Sequence, residues 1–289
     1  MKRFRDALDE GFVFTMEVTP PKGTNLAGVF AEVAKCKGKA AAINVTDCPL
    51  GRLKMSSISA ASIIKDRSQI DTIFNLTCRD RTVMGLQADL LGAHALGLEN
   101  ILALTGDSAA EGQGGVFQVD ALGLVKLLAG LNRGNDAWGR ELEGKTSFFI
   151  GVAANSGAPN LEKELIRVEA KIREGANFVL TQPSYDAKRA GAFLKAAAGL
   201  GVPILLGLMP LKNLSLAKYL NRSVPGIEVP PDIISRLAQA DGEGQRQIGA
   251  AIALELFEEI GQDCQGFHIM PVGDLELACQ VLDEIARRV

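Results

Sequence analysis

The chain of 289 residues carries 31 basic and 34 acidic side chains, so its formal net charge at pH 7 is −3. This near balance, without a long run of either sign, argues against electrostatic capture of nucleic acid or of an anionic membrane. Hydrophobic residues make up 47% of the chain, yet every apolar run ends well before the roughly 18 residues that a membrane span needs. The first residues turn acidic at Asp6 with no apolar signal core behind them, so we expect a cytoplasmic protein.

Short apolar runs alternate with stretches of helical spacing along the whole chain. We predict eight strands at residues 12–19, 41–46, 72–77, 100–105, 147–153, 178–181, 203–208 and 266–271. Segments such as 82–96 and 161–173 have helical periodicity, and in the first of these Leu86, Leu90 and Leu91 are expected on one apolar stripe. Eight βα units at a spacing of about 30 residues predict an α/β protein with a (β/α)8 TIM barrel, in preference to a doubly wound sheet.

The connection between the seventh and eighth strands is longer than the others. Two or three helical stretches occupy it, at residues 215–220, 232–239 and 245–260, so we predict extra helices between these strands. No Pro/Ser-rich linker divides the chain, which is long enough for one large domain. We therefore expect a single domain over residues 1–289.

Cysteine and histidine usage gives little support to a disulfide framework or a zinc site. The five cysteines are scattered and form no CxxC pair, and the chain has two histidines, His94 and His268. We expect both histidines to be core or surface residues and predict no metal site. Cys78 follows the third predicted strand but lacks a histidine partner, so a nucleophilic role is not favoured.

In the first predicted strand, successive side chains alternate between a face toward the surrounding helices and a face toward the barrel interior. Given helices outside the barrel, Val13, Thr15 and Glu17 should point inward. TIM barrels carry their chemistry at the carboxyl ends of the strands, where Glu17 is expected to lie. A carboxyl group in such a confined cavity is expected to be partly desolvated, which favours its protonated form and lets it donate a proton near neutrality. The alternative is a structural ion pair with a lysine inside the barrel.

The fourth predicted strand ends at Thr105-Gly106-Asp107 and is followed by the glycine-rich segment 112–115. Asp107 has inward parity and should face the mouth of the barrel. The alternative interpretation is a turn in which Asp107 caps the next helix. Phe117 stands where the last glycine of a GxGxxG fingerprint belongs, so a Rossmann dinucleotide site is not predicted.

Gln182 follows the sixth predicted strand and offers a donor and an acceptor together, which suits the amide edge of a pterin or a flavin. A hydrogen bond to neighbouring backbone is the alternative. Residues 75–80, NLTCRD, place further polar side chains at the end of the third strand.

Several segments together resemble the methylenetetrahydrofolate reductase family. MEVTPPK at 16–22 resembles the family's Phe-Glu-Phe-x-Pro-Pro-Lys/Arg segment, and NLTCRD at 75–80 its His-Leu-Thr-Cys segment. NILALTGD at 100–107 resembles its Leu-Arg/Thr-Gly-Asp strand, and GANFVLTQ at 175–182 its Gly-Ala-x-x-x-x-Thr-Gln strand. Order and spacing match along nearly the whole chain, closing with GLMP at 207–210 and GFH at 266–268. The resemblance is to the short bacterial type, particularly its acetogen-like branch.

The resemblance implies a flavoprotein oxidoreductase of one-carbon metabolism that reduces 5,10-methylenetetrahydrofolate to 5-methyltetrahydrofolate, serving methionine biosynthesis or an acetyl-CoA pathway. By this resemblance Glu17 is the general acid that protonates the folate's bridging nitrogen and opens its five-membered ring, after which N5 of the reduced flavin delivers hydride. Asp107 matches the acidic residue near flavin and pterin, where its charge would stabilise a cationic iminium. Gln182 matches the pterin-orienting glutamine.

The family's flavin contacts carry over unevenly. The matching positions are Thr46, Asn75, Thr105, Asp107, Phe117, Ala153, Glu164, Arg167 and Lys171. Glu164, Arg167 and Lys171 share one helical face that in the family meets the phosphate and adenosine end of the cofactor, although from sequence alone a solvated face would be favoured. Asn75 replaces a histidine, and Thr105 and Ala170 replace basic contacts. The expected cofactor is FAD, with FMN as the alternative.

The electron donor is less well indicated than the flavin. Leu214 stands where other members have a stacking aromatic residue, and the last strand continues MPVG at 270–273 in place of the family's Leu-Asn-Arg. The donor is either NAD(P)H or a partner subunit that carries zinc or iron–sulfur centres, for which this chain supplies no ligands. We also expect an oligomer. The competing hypotheses are a folate-binding methyltransferase barrel without redox chemistry and a non-catalytic subunit, against which the joint presence of Glu17, Asp107 and Gln182 argues.

Overall fold

The computed structural model describes residues 2–108 and 115–289. Eight parallel strands form a closed barrel in which each strand pairs with its neighbours in chain order and β1 closes against β8. The strands are β1 (Val13–Val18), β2 (Ala42–Val45), β3 (Asp71–Thr77), β4 (Asn100–Leu104), β5 (Phe149–Ala154), β6 (Phe178–Pro183), β7 (Ile204–Leu208) and β8 (Gly266–Ile269). The predicted TIM barrel is confirmed.

Helices alternate with the strands, and most of them cover the outside of the barrel. Those in the described residues are α1 (Phe4–Glu10), α2 (Ala27–Lys35), α3 (Ser57–Ser68), α4 (Val83–Ala95), α5 (Ala121–Arg133), α6 (Leu161–Arg173), α7 (Ala187–Ala197), α8 (Leu214–Ser223), α9 (Pro231–Ala238), α10 (Gly242–Ile260) and α11 (Leu275–Ala286). Between β7 and β8 lie α8, α9 and α10, which confirms the predicted insertion. None of the described helices is long and apolar enough to span a bilayer.

Local sequence signals account for the bounds of several helices. The Asn160 side chain accepts a hydrogen bond from the Lys163 amide at 2.8 Å and so caps the start of α6. Asp120 caps α5 in the same way. One expectation was wrong: Leu86 and Leu90 are fully buried, but Leu91 is 42% exposed, since it falls beyond the edge of the stripe that faces the sheet.

Two apolar layers make up the core of the barrel. One lies between the sheet and the helices and includes Met16 and Val18 of β1, whereas Val13 lies in the second layer, inside the barrel. At the amino ends of the strands α1 closes the interior with Phe4, whose ring lies 5.3 Å from that of Phe178. The Phe4 amide donates to the Asp71 carboxylate at 2.9 Å and fixes this plug. Access to the barrel is therefore from the carboxyl ends of the strands.

Candidate active site

Glu17 lies near the carboxyl end of β1 and contacts the interior of the barrel, as its parity predicted. Its Oε2 lies 3.8 Å from Nε2 of His268 on β8, and its side chain is 25% exposed. Within the described residues no lysine pairs with Glu17, so the expected alternative of an internal lysine ion pair does not hold there. The carboxyl group is thus open to the mouth of the barrel, and the His268 ring lies next to it inside the barrel.

His268 is 4% exposed, as expected for a core residue, but its position next to Glu17 was not foreseen. Its Nδ1 lies 2.9 Å from the Thr15 hydroxyl. When that hydroxyl donates to Nδ1, the ring carries its proton on Nε2 and presents it toward Glu17. The pairing of β1 with β8, which sets Thr15 opposite His268, brings these side chains together.

Asp107 follows β4 and is exposed at the mouth. Its Oδ2 accepts a hydrogen bond from the Leu50 amide at 2.7 Å, so it joins the loop after β4 to the loop after β2. The interpretation of Asp107 as the cap of the next helix is wrong, because Asp120 caps α5. Residues 112–114 of the glycine-rich segment lie outside the described residues.

Gln182 lies within β6, which runs further than predicted because an irregularity between Leu180 and Pro183 shifts its register against β7. Here the Gly207 amide donates to the Thr181 hydroxyl at 2.8 Å instead of to a backbone carbonyl. A Cβ at Gly207 would lie 2.4 Å from the Thr181 carbonyl oxygen, so the close approach requires glycine. The Gln182 Oε1 is buried and has no hydrogen-bond partner among the described residues.

A cavity of about 590 Å³ opens beside Gln182, between the ends of β4, β5 and β6 and the start of α6. Ala103, Ala121, Ala153 and Ala154 form part of its wall. Such small side chains leave room for a flat ligand to approach the strand ends.

The polar side of this cavity includes the helix face predicted from sequence. Glu164, Arg167 and Lys171 all line it, and Glu164 and Lys171 are each 7% exposed, so the alternative of a fully solvated face is wrong. The Glu164 carboxylate accepts from the Asn155 amide at 2.9 Å and from Arg167 at 3.1 Å. Lys171 donates to the Ala153 carbonyl at 2.9 Å, and burial lowers the pKa of its ammonium group from 10.5.

Lys163, which was not anticipated, also lines this cavity from the first turn of α6. With Arg167 and Lys171 it gives three cations against the single Glu164 carboxylate. The sequence signal that could have found Lys163 is its spacing of four residues from Arg167. This end of the cavity is suited to an anionic group such as a phosphate.

The other predicted flavin contacts are dispersed around the mouth. Thr105 lines the cavity, and its hydroxyl accepts from the Ala121 amide at 3.0 Å. Thr46 donates to the Thr19 hydroxyl at 3.2 Å, and the Asn75 Oδ1 accepts from Asn44 at 2.8 Å. Phe117 is 39% exposed. Of these four, the structure brings Thr105 together with Gln182, and the others lie outside this cavity.

A closed parallel barrel with acidic and amide side chains at the carboxyl ends of its strands belongs to the class of TIM-barrel proteins that hold ligands at that face. The model of the family described as methylenetetrahydrofolate reductase matches residues 3–286. The chain belongs to the methylenetetrahydrofolate reductase family, which confirms the resemblance seen in the sequence.

Individual relatives carry the name of the same family. Methylenetetrahydrofolate reductase 1 of Schizosaccharomyces pombe is 27% identical over 268 residues, which cover 87% of this chain and 42% of the yeast protein. The 5,10-methylenetetrahydrofolate reductase of Salmonella typhimurium is 24% identical over 235 residues, covering 78% of this chain and 73% of that protein. The chain therefore spans about two fifths of the length of the eukaryotic relatives it matches.

Among solved structures, an uncharacterized protein from Clostridium thermocellum superimposes with a TM-score of 0.70 at 17% identity and covers 99% of both chains. That protein binds two copies of 5-methyl-5,6,7,8-tetrahydrofolic acid. An oxaloacetate acetylhydrolase has a TM-score of 0.57 at 13% identity. At these identities the likeness establishes the fold.

Proposed function

We propose that this chain reduces 5,10-methylenetetrahydrofolate to 5-methyltetrahydrofolate with a bound flavin. The observation that carries the proposal is the buried, unpartnered amide oxygen of Gln182, at the edge of a cavity lined by small side chains and three cations. An unsatisfied buried acceptor is costly unless a ligand supplies a donor. Membership of the reductase family and the folate bound by the Clostridium thermocellum protein support this substrate class.

The cavity residues fit a flavin. The alanine wall would accept a planar ring, and Lys163, Arg167 and Lys171 would hold the anionic phosphate of the cofactor. When bound in its reduced state, the flavin supplies the hydride for the reaction. Three cations can bind either the single phosphate of FMN or the diphosphate of FAD. FAD is the proposed cofactor, and FMN is the alternative.

Glu17 is proposed as the general acid. Its carboxyl group is three-quarters shielded by protein, lies near the carboxyl end of β1 and faces the buried His268 at 3.8 Å. In its protonated form this carboxyl group can donate a proton to a ligand held at the mouth of the barrel. In the proposed step Glu17 transfers that proton to the bridging nitrogen of the folate, which opens the five-membered ring and leaves an electrophilic carbon.

Asp107 and Gln182 would act on the same substrate without transferring protons. Asp107 is held by the Leu50 amide, and its negative charge would stabilise the cation that forms when the folate ring opens. Gln182 would receive a hydrogen bond from the pterin at Oε1 and donate one from its amide nitrogen, which orients the ring.

The remaining expectations are proposed with the same function. We propose one catalytic domain over residues 1–289, located in the cytoplasm and assembled as an oligomer. Its electrons would come from NAD(P)H or from a partner subunit with zinc or iron–sulfur centres. No cluster of three or more His, Cys, Asp or Glu suited to a metal occurs in the described ranges 2–108 and 115–289.

Cofactor extraction tests the proposal most simply. The purified chain should be yellow, with an absorbance maximum at about 450 nm, and the extracted cofactor should have the mass of FAD or FMN. A colourless protein that binds methyltetrahydrofolate and cannot be loaded with flavin would contradict the proposal and favour a methyltransferase barrel.

The electron donor can be tested with the same preparation. If a partner subunit is required, the isolated chain should oxidise methyltetrahydrofolate with an artificial acceptor but turn over slowly with NADH. Rapid NADH turnover by the chain alone would remove the need for a partner.

A further inference from the structure

A tight turn between α8 and α9 reaches the cavity beside Gln182. It spans residues 224–227, VPGI, and the Ile227 amide donates to the Val224 carbonyl at 3.4 Å. Pro225 and Gly226 form its tip, and the φ of Gly226 is +86°, as at the third position of a type II turn. Both tip residues are exposed and line the cavity. The insertion between β7 and β8 therefore supplies part of the cavity wall.

The tip of the 224–227 turn covers the amide oxygen of Gln182. A Cβ at Gly226 would lie 2.6 Å from Gln182 Oε1, so the glycine backbone itself packs against this atom. Oε1 is buried and has no hydrogen-bond partner among the described residues, although the Gln182 side chain as a whole is partly exposed. We call this arrangement closed. A pterin that donates to Oε1 requires the tip and the amide to separate.

Asn155, directly after β5, holds the tip in the closed arrangement. Its Nδ2 donates to the Gly226 carbonyl at 3.0 Å. Asn155 is itself fixed by two other hydrogen bonds: its Oδ1 accepts from the Gly157 amide at 2.9 Å, and its backbone amide donates to the Glu164 carboxylate at 2.9 Å. The position of Asn155 therefore does not depend on the turn that it holds.

The residues that follow the tip are anchored by other contacts. The Val229 amide donates to the Asn221 side chain at 2.6 Å, and the Val229 carbonyl accepts from the same side chain at 2.9 Å. Ile227 and Val229 are buried and belong to an apolar cluster with side chains of α8 and α9. Pro225 and Gly226 lie outside this cluster and are exposed. The tip can therefore move while the base of the turn stays in place.

Two opposing contributions set the free energy of the closed arrangement. It gains the hydrogen bond from Asn155 to Gly226, and it leaves Gln182 Oε1 as a buried acceptor without a donor. The gain from one hydrogen bond and the cost of one unsatisfied acceptor are of similar size. When the tip moves away, the hydrogen bond is lost, and Oε1 can accept from water or from a ligand. The closed arrangement is thus held by a small margin that depends on Asn155.

We propose that Asn155 is a positioning residue that controls the access of the folate to Gln182 by holding the 224–227 turn over the amide oxygen. This inference rests on the proposed function, because it takes Gln182 as the residue that binds the pterin. The folate binds the fraction of molecules in which the tip has moved away, so the observed association rate is reduced in proportion to that fraction. Asn155 transfers neither a proton nor an electron in this role.

The test measures association of methyltetrahydrofolate with the flavin-loaded chain by stopped-flow absorbance of the flavin. Asn155→Ala removes the hydrogen bond to Gly226, so the association rate constant should rise roughly threefold to fivefold, the equivalent of one hydrogen bond. The dissociation rate constant should stay at the wild-type value, because the bound state already lacks this bond. A merely structural defect would instead speed dissociation and weaken flavin binding.

A second variant opens the turn by a different route. Gly226→Ala places a Cβ 2.6 Å from Gln182 Oε1 and 3.0 Å from Asn155 Nδ2, so the closed arrangement no longer fits. Its association rate should also rise, and the double variant N155A/G226A should be no faster than the faster single variant, because both changes remove the same state. Glu228→Gln is the control: it breaks the exposed 2.8 Å ion pair with Arg189 near the turn and keeps the Asn155 bond, so its rate should equal that of the wild type.

The possible outcomes separate this inference from the function on which it rests. Association rates that are equal in the wild type, N155A and G226A would overturn the inference, as would a double variant whose increase is the product of the two single increases. Either result would leave the proposed function intact, since the folate would still bind. Failure of the flavin-loaded wild type to bind methyltetrahydrofolate would contradict the proposed function, and this inference with it.

Discussion

Replacing Gly207 with alanine would insert a methyl group into the narrow gap between β7 and β6. The new Cβ would lie 2.4 Å from the Thr181 carbonyl oxygen and 2.8 Å from that of Gln182, whereas real Cβ contacts below 3.0 Å are essentially never found. The strands would have to separate by roughly 0.6 Å, an overpacking cost of about 1–3 kcal/mol. For a chain of this size that corresponds to a fall in melting temperature of about 2–6 °C.

The same displacement should reach the proposed pterin site. Gln182 is carried by the shifted part of β6, and a positioning error approaching 1 Å is enough to weaken ligand recognition about tenfold or more. Thermal unfolding followed by circular dichroism and methyltetrahydrofolate titration of the flavin-loaded protein measure the two effects. Gly92→Ala in α4 is the matched control, because its Cβ meets nothing within 4 Å, and it should be neutral or stabilise by up to ~1 kcal/mol.

Either of two outcomes would refute part of this reasoning. An unchanged melting temperature for Gly207→Ala would mean that the β6–β7 contact is looser than described. A lowered melting temperature with wild-type folate affinity would mean that Gln182 does not bind the pterin.

Three further substitutions test the cation side of the cavity, the histidine beside Glu17 and the closure of the barrel by α1. Lys171→Met should weaken flavin binding about tenfold. Because burial lowers the pKa of Lys171, the folded protein binds fewer protons than the unfolded chain at pH values between that lowered pKa and 10.5. In the flavin-free protein, the free energy of unfolding of the wild type relative to Lys171→Met should therefore fall as pH falls through that window and stay constant below it, as urea unfolding would show. His268→Ala should slow the folate half-reaction about tenfold in stopped-flow measurements and leave flavin reduction unchanged; equal slowing of both would indicate a folding defect. Phe4→Ala empties a fully buried position and should cost about 3–5 kcal/mol in urea unfolding, whereas wild-type stability would mean that α1 does not close the barrel.

Much of the barrel could be predicted because parallel strands buried on both faces leave a strong local signal. Every predicted strand is present, with ends displaced by at most two residues, and α6 has the bounds expected from its periodicity. The end of β6 was misplaced because its irregularity depends on Gly207 of a different strand. Leu91 was misassigned because the width of a buried helix stripe is decided by tertiary packing.

The site was less predictable than the fold. Strand parity gave the orientation of Glu17, but the proximity of His268 depends on closure between β1 and β8, which no local pattern encodes. Lys163 was missed because a surface helix and the wall of a ligand cavity use the same charged residues.

The catalytic proposal is tested most directly by Glu17→Gln, which keeps the shape of the side chain and removes its acidic proton. In stopped-flow experiments with the flavin-loaded variant, the rate of flavin reduction by an artificial donor should equal that of the wild type. Reoxidation of the flavin by methylenetetrahydrofolate should slow by at least about 100-fold. Reoxidation at the wild-type rate would contradict the assignment of Glu17 as the acid.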